Sequence, residues 1–192
     1  MDKSSIKIEI LVERYLSACR SAGMSPKTLR GYNEKLQRYC HMVGGCLGDF
    51  NLNIVREHLI NLQATPKWKD HPFIKKHTEK LSATSIRGHG MVLCGFSTWL
   101  YEEGYMDDKM LAKLKLPKPN EISMEPLSDD EISTLLSCFN INKEIGCRNA
   151  ACTWLFLDTG LRCAEQVALD MDNLFLETRR LKIMGKGRKE RI

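Results

Sequence analysis

The sequence predicts a mainly α-helical protein: a bundle of four to five helices, then a smaller α+β part that ends in a short β-hairpin. Apolar residues recur at helical spacing through the first half, whereas residues 173–184 contain two short apolar runs around a turn. Between the halves, residues 116–120 hold two prolines and no apolar period, which is typical of a linker. We therefore predict domains at 1–115 and 127–192, joined by a linker at 116–126.

Two amphipathic helices are predicted at the N-terminus. The first ends at Gly23, and the second begins with Ser25 as N-cap and Pro26 in the first helical position. Gly44 and Gly45 end the second helix. The apolar stripes are Ile8, Leu11, Val12, Tyr15, Leu16 and Cys19 in the first helix, and Leu29, Tyr32, Leu36, Cys40 and Val43 in the second.

Further helices are predicted on either side of a long polar loop at residues 63–80. A short third helix precedes the loop, and a fourth runs from Ser82 or Ser85 to Gly104. Asp107 or Asp108 is expected to cap a short fifth helix. The fourth helix contains internal glycines, each costing about 1 kcal/mol relative to Ala unless it admits a neighbouring helix; they are Gly88, Gly90 and Gly95.

The C-terminal part is predicted to start with a capping box, in which Ser128 and Glu131 precede an apolar stripe. A second helix should end at Gly160, and a short helical turn should follow at 161–169. The predicted hairpin has strands at 173–176 and 180–184.

Composition limits the function without fixing it. Lys and Arg outnumber Asp and Glu by 29 to 24, a formal charge of +5, which suits a polyanionic partner but does not prove one. None of the eight Cys forms a C-x-x-C pair, so we expect reduced thiols, with a disulfide framework as the lesser alternative. Neither a signal peptide nor an 18-residue apolar stretch is present, so we expect a cytoplasmic protein without a membrane partner.

The first candidate motif is Thr159-Gly160-Leu161-Arg162-Cys163-Ala164-Glu165. Gly160 lets the chain reverse after a helix, and Arg162 then begins a short helix. A guanidinium can donate to two oxygens of one phosphate, and Glu165 lies on the same helical face, where it can orient Arg162. Taken alone, the motif is better explained as an ordinary surface Arg–Glu pair.

The second candidate motif is Gly185-Lys186-Gly187-Arg188-Lys189-Glu190-Arg191. Glycines on both sides of Lys186 predict a tight turn that directs its ammonium outward, where it can donate a proton at a DNA strand break. A solvated basic turn is the commoner explanation for such a string. The motif is not a nucleotide-binding P-loop, because the earlier glycine is missing and no Ser or Thr follows the lysine.

Together, in this order and separation, the two motifs resemble those of tyrosine recombinases of the phage integrase family, especially its Xer-like bacterial members. The upstream strings Ser25–Tyr32, Ser82–Tyr105 and Pro126–Ile132 also resemble that family. The resemblance implies a helical core-binding (SAM-like) DNA-binding domain at 1–115. It also implies that 127–192 is the N-terminal part of an incomplete catalytic domain.

The resemblance also implies roles for individual residues. Arg162 would clamp the scissile phosphate, Glu165 would support it, and Lys186 would protonate the leaving 5′ hydroxyl. The reaction would pass through a 3′-phosphotyrosine without metal or other cofactor, because fixed cations stabilise the phosphoryl-transfer transition state. One departure is Gln166, where the family usually has Leu.

A larger departure concerns the nucleophile. The family uses a His-x-x-Arg motif, a further His or Trp and a tyrosine, all downstream of the hairpin, but no Tyr or His follows Arg162 in this sequence. We therefore expect the chain alone to be inactive, as a fragment or truncated product of a recombinase.

Candidate DNA contacts lie mainly in the helical half. The second helix has basic residues roughly opposite its apolar stripe, and hydroxyls near helix starts suit phosphate binding. Other candidates lie in the 63–80 loop and in the second motif. The predicted contacts are Lys27, Thr28, Arg30, Lys35, Arg38, Lys67, Lys69, Ser85, Arg87 and Arg188.

Three hypotheses remain from the sequence. The first is a recombinase whose catalytic half is cut short, acting on double-stranded DNA with other protomers near the nucleoid. The second is a non-catalytic DNA-binding module that occupies recombination sites. The third is a helical interaction protein without a DNA role, which must treat both motifs as coincidence.

Overall fold

The computed structural model describes residues 3–67, 79–119, 123–185 and 190–191, and it divides into two compact units, residues 1–122 and 123–192. The protein is mainly helical with short antiparallel strands near its C-terminus, so the predicted fold class is confirmed. The helices of the N-terminal unit are α1 (Ile8–Ser21), α2 (Pro26–Met42), α3 (Leu52–Ala64) and α4 (Ala83–Glu102). Those of the C-terminal unit are α5 (Asp129–Ser137), α6 (Glu144–Thr159) and α7 (Cys163–Val167).

Local signals place the helices of the N-terminal unit. Ser25 accepts a hydrogen bond from the backbone N–H of Thr28, with Pro26 in the first turn of α2, and Ser82 accepts one from that of Ser85 at the start of α4. Ser25 is the predicted N-cap, and Ser82 is one of the two starts predicted for α4. Gly23 adopts a φ of 78° after α1, a left-handed conformation that favours glycine and ends the helix.

One continuous apolar core joins the four N-terminal helices. The predicted stripes of α1, α2, α3 and α4 all contribute to it. Aromatic rings cross its centre, where Phe96 lies 5.5 Å from Tyr15 and 5.7 Å from Phe50, measured between ring centroids. The side chains that are 0% exposed are Leu11, Val12, Leu36, Val55, Leu62, Phe96 and Leu100.

The internal glycines of α4 make room for neighbouring side chains, the alternative that the sequence left open. A Cβ on Gly90 would collide with Leu116, and one on Gly95 would stand 3.0 Å from the hydroxyl of Tyr15. Gly88 faces Lys35 of α2. Gly90 and Gly95 accept the loss in helix propensity because larger residues there would separate packed elements, whereas a Cβ on Gly88 would make an ordinary contact with Lys35 at 3.5 Å.

The predicted fifth helix is wrong in type and in cap. Residues Met110–Lys113 form one 3-10 turn, and its N-cap, Lys109, makes no side-chain capping bond. The segment is too short for an α-helix to gain more than one stabilising hydrogen bond. Leu111 nevertheless contributes to the core of the N-terminal unit.

The C-terminal unit has the predicted elements with smaller strands. Ser128 and Glu131 form the predicted capping box at α5. The hairpin comprises two separate antiparallel pairs, β1 (Leu174–Phe175) with β2 (Arg180–Leu181), and β3 (Ile183–Met184) with β4 (Glu190–Arg191). The predicted strand at 180–184 is therefore divided between two ladders.

Candidate active site

Arg162 is presented by a sharp reversal of the chain between α6 and α7. Gly160 ends α6 with a φ of 61°, the left-handed conformation that glycine adopts without strain. Leu161 then turns inward and is buried, and Arg162 becomes the N-cap of α7. The buried leucine and the reversal together leave the guanidinium of Arg162 at the surface, where its side chain is 69% exposed.

Glu165 holds Arg162 through two hydrogen bonds. The backbone N–H of Arg162 donates to Oε2 at 2.9 Å, and its Nη1 donates to Oε1 at 2.9 Å. The Glu165 side chain is only 6% exposed. The pair is therefore not an ordinary surface ion pair, because one partner is buried and accepts from both the backbone and the guanidinium.

Arg191 also binds Glu165, a contact that the sequence analysis missed. Nη2 of Arg191 donates to Oε2 of Glu165 at 2.7 Å, and the Arg191 side chain is half-exposed. Arg191 is the last residue of the quoted second motif, so the two motifs contact each other through this ion pair. The sequence signal was present in that string, but spacing alone did not indicate a partner 26 residues earlier.

The carboxylate of Glu165 is held in its charged form. Its pKa is lowered below the ordinary value chiefly by the hydrogen bond from the backbone of Arg162. Burial opposes this shift, while the side chains of Arg162 and Arg191 reinforce it. A charged Glu165 favours a fixed orientation of the exposed Arg162 guanidinium.

Gln166 has a partner despite standing where an apolar residue was expected. Its Nε2 donates to the backbone carbonyl of Cys152 in α6 at 3.1 Å. The hydrogen bond links α7 to α6, so the polar side chain contributes to the seating of α7 in this unit.

Lys186 and Arg188 lie outside the described residues, as does Lys69. The described residues on both sides of Lys186 belong to paired strands, with Met184 opposite Glu190 and Ile183 opposite Arg191. The role predicted for Lys186 therefore stays a prediction.

The chain is similar in sequence to known tyrosine recombinases. The sequence profile of the phage integrase family matches residues 125–192, which include both motifs. The tyrosine recombinase XerC of Shewanella amazonensis is 33% identical over 181 residues, covering 93% of this chain and 55% of that protein. XerD of Listeria monocytogenes is 27% identical over 171 residues, covering 88% of this chain and 54% of that protein.

The chain belongs to the phage integrase family of tyrosine recombinases. It spans about half the length of the Xer relatives that it matches. A solved lambda integrase tetramer bound to a Holliday junction shares the fold, with a TM-score of 0.74 at 17% identity over 98% of this chain and 50% of that one.

In this family member, the predicted DNA contacts of α2 fall into two groups. Lys27 and Arg30 are exposed, whereas Lys35 and Arg38 are half-buried. Lys35 donates through Nζ to the carbonyl of Gly31 at 3.2 Å. Thr28 is exposed, with its hydroxyl 2.8 Å from that of Ser25.

The predicted contacts near α4 also form hydrogen bonds or ion pairs within the N-terminal unit. The hydroxyl of Ser85 lies 3.0 Å from that of Ser82, and Nη1 of Arg87 is 3.5 Å from the carbonyl of Pro117. Lys67 forms an ion pair with Glu79 at 2.7 Å, at the base of the 63–80 loop. These side chains are pre-positioned by local bonds, and their contact with DNA stays a prediction.

Two histidines of the N-terminal unit were not singled out from the sequence. His58 of α3 is 1% exposed, and neither of its ring nitrogens has a hydrogen-bond partner among the described residues. His89 of α4 lies 6.3 Å away, measured between ring centroids. Burial lowers the pKa of each to about 4, and the nearby charge of Arg38 contributes. Both imidazoles are therefore neutral at pH 7.

The described part of the chain has neither a metal-binding cluster nor a membrane-spanning helix. It contains no group of three or more His, Cys, Asp or Glu side chains arranged to hold a metal ion. None of its helices is long and apolar enough to span a bilayer. All eight Cys are free thiols.

Proposed function

We propose that this chain is the DNA-binding and phosphate-binding segment of a site-specific tyrosine recombinase, which cleaves and rejoins DNA through a 3′-phosphotyrosine. The observation that carries the proposal is the exposed guanidinium of Arg162, held by the buried carboxylate of Glu165. A cation fixed before substrate arrives stabilises developing phosphate charge without reorganisation during the reaction.

In this proposal the three motif residues divide the chemistry. Arg162 uses one N–H on Glu165 and presents its remaining donors to two non-bridging oxygens of the scissile phosphate. A tyrosine hydroxyl attacks phosphorus, the bond to the 5′ oxygen breaks, and Lys186 delivers the proton to that oxygen. None of the five Tyr follows Arg162, so the nucleophile comes from outside residues 163–192.

The N-terminal unit supplies affinity for double-stranded DNA. Lys27 and Arg30, both exposed on α2, contact phosphates, with Lys35 and Arg38 closer to α4. Thr28 and Ser85, each three residues after a serine N-cap, bind phosphates with hydroxyl and backbone groups. Arg87, Lys67, Lys69 and Arg188 add charge along the same duplex.

Other protomers of the recombinase are the proposed protein partners. The lambda integrase structures that share this fold are a tetramer on a Holliday junction and dimers on a core site. We propose that this chain acts in a similar assembly on DNA, which would place it at the nucleoid.

A second candidate is a DNA-binding module without catalysis. The exposed basic residues of α2, Lys27 and Arg30, would serve such a module equally well. A reading frame that continues past Ile192 into His-x-x-Arg and a tyrosine would support the enzyme, and a stop codon there would support the module.

Duplex binding by this chain across a salt series tests the DNA role shared by both candidates. We expect weak binding whose affinity falls as salt rises, because Lys and Arg contacts release counterions. Arg30→Gln should weaken binding and reduce the salt slope by about 1. The matched control is Arg56→Gln, an exposed arginine of α3 that should leave binding unchanged. No binding even at low salt would favour a helical interaction protein.

A further inference from the structure

Glu165 is a meeting point for three groups from two distant parts of the chain. Arg162 donates to it through Nη1 and through its backbone N–H, and Arg191 donates to it through Nη2. We propose that Arg191 is a positioning residue, which holds Glu165, and through it Arg162, in a fixed relation to the pair of strands β3 and β4. This inference deepens the proposed function and rests on it.

Burial of the carboxylate explains what a second arginine adds. A carboxylate that is 6% exposed has lost most of its water and needs donors for both oxygens. Without Arg191, every hydrogen-bond donor to Glu165 would come from Arg162. The long side chain of Arg162 is 69% exposed, and it gains rotamer freedom when it moves away from Glu165. Arg191 therefore keeps Glu165 in place while the guanidinium of Arg162 engages a phosphate.

The strand register explains why Arg191 reaches this carboxylate. Arg191 pairs with Ile183, and Glu190 pairs with Met184, so the neighbouring side chains of β4 point to opposite faces. Arg191 forms an ion pair with Glu165 of α7 at 2.7 Å, while Glu190 forms an ion pair with Lys182 at 2.6 Å. Both side chains anchor β4: Arg191 binds it to Glu165 of the site, and Glu190 binds it to Lys182, the residue before β3.

The same register links the two catalytic motifs. Residues 185–189 join β3 to β4, so the segment containing Lys186 is bounded by strands that Arg191 ties to Glu165. The carboxylate of Glu165 thus binds Arg162 of the first motif and Arg191, the last residue of the second motif. Loss of Arg191 would separate the two motifs while leaving Arg162 itself in the sequence.

The pKa of Glu165 gives a direct readout of the positioning role of Arg191. Arg191 is one of the groups that lower the pKa of Glu165, after the backbone of Arg162, and burial raises that pKa. Removing Arg191 leaves the burial penalty with fewer compensating donors, so the pKa of Glu165 should rise.

The experiment is a titration of Glu165 in the 192-residue chain, followed by NMR of ¹³C-labelled glutamate carboxyls and assigned with Glu165→Gln. In the wild-type chain Glu165 should titrate below an ordinary glutamate. Arg191→Gln should raise its midpoint and broaden the Arg162 guanidinium signal, and Arg191→Lys should restore part of both effects, because Lys keeps the charge but not the planar donors. Arg180→Gln, an exposed arginine on β2, removes the same charge and should change neither signal.

Two results would overturn the inference. One is a Glu165 that titrates at the ordinary glutamate value already in the wild-type chain. The other is an Arg191→Gln variant that only loses stability, with the Glu165 midpoint and the Arg162 signal unchanged. Because no DNA is present, the result is independent of duplex binding, and failure of the salt-series experiment would refute the proposed function separately.

Discussion

The two units of this chain bury their apolar stripes to very different extents. Nineteen of the residues in the N-terminal unit form one buried core, whereas the buried apolar side chains of the C-terminal unit are Leu161 and Ile183 among the described residues. Neither α5 nor α6 has a buried residue. Trp154 of α6 is 58% exposed and Ile145 is 65% exposed.

Helical periodicity therefore predicts a helix, but it does not by itself predict that the apolar face of the helix is buried. Both units have the periodic pattern, and both form the helices that it predicts, with the predicted caps. Only in the N-terminal unit do the stripes face one another. The C-terminal unit relies more on polar links, such as Glu165 with its two arginines and Gln166 with Cys152.

The largest expected contrast comes from matched leucine truncations. Leu100→Ala in α4, where the side chain is 0% exposed, should reduce the free energy of unfolding of the N-terminal unit by about 2–5 kcal/mol. Leu135→Ala in α5, where the side chain is 41% exposed, should reduce overall stability by about 0.5 kcal/mol or less. Urea denaturation of both variants measures the difference, and equal losses would contradict the comparison.

Acid should weaken the N-terminal unit through its buried histidines. The folded state holds His58 with a pKa of about 4, below the unfolded value of 6.5, so the unfolded state binds more protons between these values. The free energy of unfolding should therefore fall as pH drops from about 6.5 to about 4, by up to about 3 kcal/mol for His58.

The matched variants for this pH dependence are two His→Phe substitutions. His58→Phe removes one buried imidazole and should reduce the pH dependence of the free energy of unfolding, measured by urea denaturation at a series of pH values, while leaving the part due to His89, whose pKa is also about 4. His41→Phe, on the exposed surface of α2, should keep the wild-type dependence. An unchanged slope in His58→Phe would show that this imidazole is not held neutral by the fold.

Helix caps should produce the smallest contrast. Ser82→Ala removes the N-cap of α4 and should reduce the stability of the N-terminal unit by about 1 kcal/mol. Ser128→Ala removes the N-cap of α5. Its effect should be confined to α5, where amide hydrogen exchange should become faster. Exchange measurements on both variants would show whether α5 opens independently of the N-terminal core, and protection of α5 equal to that of α4 would contradict this.

Local chemistry explains which parts of the fold could be predicted. Serine N-caps, a proline in the first turn and glycine ends fix helix boundaries within a few residues, because each signal acts on its own neighbours. The fifth helix failed because Met110–Lys113 is one turn long and no Asp caps it. The single predicted strand at 180–184 failed because its two halves pair with different partners.

In the candidate site, too, local contacts could be predicted from the sequence, whereas contacts that depend on tertiary packing could not. The Arg162–Glu165 pair could be predicted, since three residues separate its members on one helical turn. Arg191 could not, because its contact depends on the register of β3 and β4 and on the position of α7. The half-burial of Lys35, which lies beside Gly88 of α4, likewise depends on the packing of another helix against α2.

The most direct test of the account is covalent-complex formation by a completed recombinase. Residues 1–192 would be joined to the remaining part of the Shewanella amazonensis XerC catalytic domain and incubated with a nicked duplex that traps the 3′-phosphotyrosine. We expect an adduct with the parent chimera, and with Arg162→Ala a loss of adduct of at least about 100-fold while duplex binding stays nearly unchanged. The Arg180→Ala chimera should form the adduct normally. An Arg162→Ala chimera that forms the adduct at the parent rate would contradict the assignment of Arg162 as the phosphate ligand.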